Sequence, residues 1–155
     1  SVLEYVDSPP DAMASIAQVL RPAGAVSVLA ASSVAAVIHR ALAGRFDDAR
    51  RLLAGIGGPG QPAVPAATGA PGTGPGHGTA GPRRFTLAAV VGLIEGAGLR
   101  AGRAHGVRVF ADLVPGIFAD ADPGAADALL ALEQAASAHP AFHDIATQFH
   151  IVGYR

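Results

Sequence analysis

Arg108 and Asp112 stand four residues apart in Gly106-Val107-Arg108-Val109-Phe110-Ala111-Asp112, and of all the residues here they are the best suited to chemistry. An arginine offers a planar fork of donors that grips a carboxylate or phosphate with two hydrogen bonds. Asp112 could orient that fork. Each also has a plainer reading. Exposed arginines are commonly just solvated, the two could simply pair, and Asp112 could cap a turn. Glu4 is a further carboxylate, placed where a strand end could aim it into a pocket, though its plainer reading is a helix-capping or solvent-facing group. Arg83 and Arg84 flank a Gly/Pro-rich stretch and could touch phosphates, or form a solvated charge pair.

Other chemistries are excluded or unsupported. There are no cysteines, which removes disulfides, thiolate metal sites and cysteine nucleophiles. His39, His77, His105, His139, His143 and His150 show neither HxxxH nor paired-carboxylate spacing, so a metal site is not expected. Gly55-Ile-Gly-Gly-Pro-Gly superficially resembles a dinucleotide loop. It follows a predicted helix instead of a strand and contains proline, so it is rejected.

These residues need elements to position them. Val2–Val6 reads as the end of a buried strand. Ser8-Pro9-Pro10-Asp11 reads as a capped helix start. Met13, Ile16, Ala17 and Leu20 recur at helical intervals up to the Arg21-Pro22-Ala23-Gly24 stop. Ala25–Ala31 is a short apolar run that suits a strand covered on both faces. With the preceding strand and helix it would form a right-handed βαβ unit. Helices are expected over Ser33–Leu42, with Val34, Val37, Ile38 and Ala41 on one face, and over Arg45–Leu53. Gly55–Pro82 is almost wholly Gly, Pro, Ala and Thr, and is expected to be a mobile surface insertion. Thr86 can cap a helix from Leu87 to Ala97, with Gly98 ending it. Val107–Phe110 alternates like a strand. Asp122-Pro-Gly-Ala opens a helix with a leucine packing face at Leu129, Leu130 and Leu132, and Phe149–Tyr154 reads as an edge strand. The order fits an α/β fold, half of a doubly wound sheet.

Composition sets the outer limits. The 155 residues suffice for one core, so one domain over 1–155 with an insertion at about 55–82 is expected. The net charge of −1 gives no global electrostatic footprint for nucleic acid. The longest apolar run, Ala23–Ile38, is broken by Gly24 and serines, well short of a spanning helix of roughly 20 apolar residues. No membrane association is expected, and the location is expected to be cytoplasmic.

Five segments, in this order, resemble the C-terminal half of class I S-adenosylmethionine (SAM) methyltransferases. Val2-Leu3-Glu4-Tyr5-Val6 is similar to the end of their fourth strand. Leu20-Arg21-Pro22-Ala23-Gly24, with the strand after it, is similar to their helix-to-strand turn, Ala23 replacing the first of two glycines. Ala43-Gly44-Arg45-Phe46-Asp47 and Gly106–Asp112 resemble motifs of the branch that methylates carboxymethoxyuridine in tRNA. Ala128–Glu133 and Phe149–Val152 follow that branch's last helix and strand. The chain departs from the branch at Ala30, Ala31, Ser32 and Leu113, where it has an aromatic pair, an asparagine and a tyrosine.

The resemblance implies a Rossmann-like methyltransferase sheet with SAM as cofactor and the wobble-uridine carboxylate of tRNA as methyl acceptor. Arg108, Asp112 and Ser32 would bind the acceptor, and Leu3 and Glu4 would form a wall of the cofactor site. A carboxylate is already ionised at neutral pH, so the acceptor needs alignment and a cation, with no general base. The glycine loop that holds SAM in the family lies in its first half. The expectation is therefore of a partial domain that could associate with that half or with itself. The alternatives are a small-metabolite SAM methyltransferase and an inactive half-domain serving as an interaction module.

Overall fold

A computed structural model describes residues 2–56, 64–66, 81–120 and 124–155. The elements run α1 (Pro9–Val19), β1 (Ala25–Ala31), α2 (Ser33–Leu42), α3 (Phe46–Gly55), β2 (Val64–Ala66), β3 (Gly81–Arg84), α4 (Leu87–Gly96), β4 (Arg100–Val107), α5 (Gly116–Asp120), α6 (Ala125–Ser137) and β5 (Gln148–Tyr154). A 3₁₀ turn at Pro140–Phe142 precedes β5. The chain is a mixed α/β protein. Its main sheet has three strands in the order β1-β5-β4, and β5 is antiparallel to both neighbours. β2 and β3 form a separate antiparallel pair.

The helix starts are where capping chemistry puts them. Ser8 caps α1 by accepting the Asp11 amide at 3.4 Å, with prolines in the first turn. Thr86 caps α4 by accepting the Ala89 amide at 3.2 Å, and Gly98 follows the helix at φ +77°. The C-terminus of α1 is satisfied from far away. The Arg155 guanidinium donates to the carbonyls of Ala17 at 3.0 Å, Gln18 at 3.2 Å and Leu20, a cation placed at the negative end of a helix. The turn into β1 holds Ala23 at φ +59°, in the region that favours glycine.

One face of the sheet carries the core. Val28 and Ala30 of β1 and Phe149 and Ile151 of β5 pack with Met13 and Ala17 of α1, Val90 and Ile94 of α4, and Leu99. A smaller cluster of Val109, Ala136 and Ala146 sits under α6.

Several expectations are corrected. Val2–Val6 is a turn, closed by a hydrogen bond from the Tyr5 amide to the Val2 carbonyl at 3.0 Å, so no βαβ crossover leads into β1. The segment is held from the side: Arg83 donates its amide to Glu4 O at 2.9 Å and its guanidinium to Val6 O. β1 is covered on one face only, with Ala25, Ser27 and Leu29 exposed. β5 is the central strand, not an edge, because alternation reports which side is covered and says nothing about position in the sheet. The strand expected at Val107–Phe110 lies earlier, at Arg100–Val107. Pairing with β5 holds this weakly apolar run, and a φ of +57° at Arg108 ends it.

On α2 the fully buried residues are Ser33, Ala35 and Ala36, while the predicted Val34, Val37, Ile38 and Ala41 are half-buried. Leu130 and Leu132 of α6 are exposed, because the helix turns Glu133, Ala136 and Ser137 inward. Asp122 and Pro123, and most of the Gly55–Pro82 insertion, lie outside the described residues.

Candidate acceptor site

β1 and β4 both run antiparallel to β5, so their C-terminal ends meet the start of β5 along one edge of the sheet. Here that edge brings together Ser32 after β1, Arg108 after β4 and Thr147 before β5.

Backbone bonds close the junction. The Ser32 amide donates to Thr147 O at 3.0 Å, and the Thr147 amide donates to Arg108 O at 3.2 Å. Arg108 and Asp112 are paired through guanidinium and carboxylate. The other Asp112 oxygen accepts the Thr147 hydroxyl at 2.6 Å, and His39 Nε2 lies 3.4 Å from the same hydroxyl. The Asp112 side chain is only 17% exposed, whereas that of Arg108 is 57% exposed. The carboxylate is thus anchored inside, and the arginine it orients reaches outward. One fork side is engaged by Asp112, and the exposed remainder can meet an anion.

Of the two sequence readings of Arg108 and Asp112, the structure shows the plain one: they form an ion pair, at the edge where β1, β4 and β5 meet. Ser32, expected to bind the acceptor, meets Thr147 only through its backbone amide and presents no side chain at the surface. Its hydroxyl is buried, accepts the Ala35 amide at 3.1 Å as the α2 cap, and donates to Asp144 O at 3.2 Å. Glu4 lies close behind, its Oε1 accepting the Ala31 amide at 2.9 Å. Leu3 packs in the main core. Leu3 and Glu4 can thus furnish a wall, but they are occupied with packing and with the β1 backbone and do not by themselves fit as a cradle for SAM. Arg84 pairs by register with Val64 in the two-stranded sheet, and the next residue, Phe85, bridges Ser32 at the end of β1.

Sequence reasoning missed Thr147, His39 as a polar neighbour, and Glu133. Glu133 accepts three consecutive amides, Val109 at 2.9 Å, Phe110 at 2.7 Å and Ala111 at 2.6 Å. The only available signal was the hydrophilic break that Glu133 makes in the alanine-leucine run of α6.

A second concavity lies on the uncovered sheet face. This open groove of about 510 Å³ is lined by Leu29, Arg103, His105, Val107, Ser137, His150, Val152 and Tyr154. His150 Nε2 is 2.8 Å from the Ser27 hydroxyl, and Arg100 stacks over the Tyr154 ring at 4.7 Å. Among the described residues no group of three or more His, Cys, Asp or Glu side chains could hold a metal ion. No described helix is long and apolar enough to cross a membrane. The chain matches no protein-family model and no curated protein.

Proposed function

We propose that the chain is the acceptor side of a SAM-dependent methyltransferase and that Arg108 holds the carboxylate that receives the methyl group. The observation that carries this reading is the Arg108–Asp112–Thr147 arrangement: an exposed guanidinium, oriented by a shielded carboxylate, where the ends of β1 and β4 meet the start of β5. The segment resemblance supplies the reaction class. The proposed acceptor is the carboxymethoxyuridine of tRNA. Arg108 binds and orients a carboxylate that is already an anion, and no side chain has to remove a proton. Leu3 and Glu4 do not complete a SAM site, so no step is assigned to the cofactor here.

A small-metabolite carboxylate is the second reading. The net charge of −1 favours an acceptor recognised through a few local contacts over one recognised through an extended phosphate backbone.

Calorimetry with the nucleoside 5-carboxymethoxyuridine and its methyl ester tests the proposal. The free carboxylate should bind more tightly than the ester, and Arg108→Ala should remove that preference. A preference that survives Arg108→Ala would defeat the carboxylate role, and tighter binding of a modified tRNA than of the nucleoside would favour the tRNA reading.

A further inference from the structure

We infer that Glu133 is the positioning residue of the acceptor site. This rests on the reading of Arg108 given above. Arg108 occupies a left-handed backbone conformation, φ +57°, which a non-glycine residue keeps only where its surroundings over-determine it. The surroundings that do so come largely from one helix. Glu133 and Ser137 are four residues apart on α6, and therefore lie on the same helix face.

Ser137 Oγ donates to the Gly106 carbonyl at 2.8 Å, before Arg108. Glu133 accepts the amides of Val109, Phe110 and Ala111, after Arg108. The two side chains grip both limbs of the turn, with Arg108 at its apex. Three successive amides converging on one anion make a concave main-chain nest, and here a carboxylate of the protein itself fills it. The buried Val109 side chain seats the same limb against Ala136 and Ala146. The nest then leads directly to Asp112, which the Thr147 hydroxyl meets from the other side. Glu133 touches no acceptor. It sets the direction in which Arg108 leaves the backbone.

The chemistry of the nest explains why the residue is an acid. A glutamine has one acceptor oxygen, which can serve Phe110 and Ala111, while its NH₂ group would face the Val109 amide, donor against donor. Glu133→Gln therefore keeps size and helix propensity and breaks the nest at its first amide. Glu133→Ala empties it.

The test compares wild type, Glu133→Gln, Glu133→Ala and Arg108→Ala as the full chain. The readouts are thermal melting, the amide resonances of residues 109–111, and the ratio of dissociation constants for 5-carboxymethoxyuridine and its methyl ester. Wild type should prefer the carboxylate by roughly tenfold or more, the scale of one charge-assisted contact. Both Glu133 variants should retain a cooperative melt, shift those three amide protons upfield and lose most of the preference, as Arg108→Ala does. Should Glu133→Ala fail to fold, Glu133→Gln carries the test. If the Glu133 variants shift the amides yet keep the preference that Arg108→Ala removes, Glu133 is only a loop anchor and the acceptor reading survives. If wild type shows no preference, or Arg108→Ala leaves it unchanged, the acceptor reading fails and the positioning role falls with it.

Discussion

The same three strands have two faces with opposite fates. On one, Val28, Ala30, Phe149 and Ile151 are closed over by α1 and α4. On the other, Ser27, Leu29, Arg103, His105, His150 and Val152 stand in or beside an open groove. β5 alternates residue by residue, while β4 carries a bulge between Ala101 and Ala104, and what separates the faces is whether a helix lies on them. Phe149 and His150 are adjacent in sequence, yet one is wholly buried and the other half-exposed. Stability should therefore reside in one face, leaving the chemistry of the other free to vary.

The largest test of that asymmetry is Phe149→Ala, which should cost about 3–5 kcal/mol in urea unfolding through lost burial and a cavity. Val152→Ala on the open face should cost well under half of that, and comparable losses would mean the groove is covered in solution. Next comes Gly153→Ala. An added Cβ would lie 3.0 Å from Ile94 Cγ2 and 3.2 Å from Val26 Cγ1. Overpacking of this kind should destabilise by about 1–3 kcal/mol, and an unchanged midpoint would show that α4 can yield.

Ala23→Gly, at the turn that hands the chain from the covering helix to β1, should stabilise by about 0.5–1 kcal/mol by relieving a left-handed alanine. A lower melting temperature would refute that. Gly24, beside it, has no such freedom, since its Cβ would sit 2.8 Å from Arg21 O.

The smallest effect belongs to a surface charge cluster on α3 and its N-cap, Asp48 with Arg45 and Arg51. The hydrogen bond from Arg45, helped by the charges of Arg45 and Arg51, holds the Asp48 carboxyl below its ordinary value of 3.8. A depressed folded-state pKa stabilises fully above the ordinary value and loses that stabilisation as pH falls through the folded one. Wild type and Asp48→Asn should therefore differ slightly at pH 6 and converge near pH 2. The difference should shrink in molar salt, and a salt-independent difference would point to packing instead.

Local chemistry was readable from the sequence, and distant pairing was not. Ser8, Thr86 and Gly98 announced helix boundaries because a cap acts within a few residues. Arg108 and Asp112 were visible because their bond spans four positions. Thr147 reaches Asp112 across 35 residues and His39 across 108, and no local pattern marks either contact. β4 was misplaced because Arg100–Ala104 has little β character of its own and is a strand by virtue of β5. Val2–Val6 has strand-forming residues but forms no ladder, only a single backbone bond from Arg83 of β3 to Glu4. Glu133 went unremarked, since a hydrophilic break in α6 does not reveal which amides, more than twenty residues upstream, it meets.

The central position of β5 also has a consequence in time. Ser27 of β1 and His150 of β5 are hydrogen-bonded neighbours separated by 123 residues. At ribosomal rates of roughly 5–20 residues per second, β1 waits about 6–25 s for the strand that completes it. Throughout that interval the apolar side of β1 has α1 beside it but not the β5 strand it pairs with, and β4 must wait as well. The order of the strands makes this sheet a late event in the life of each molecule.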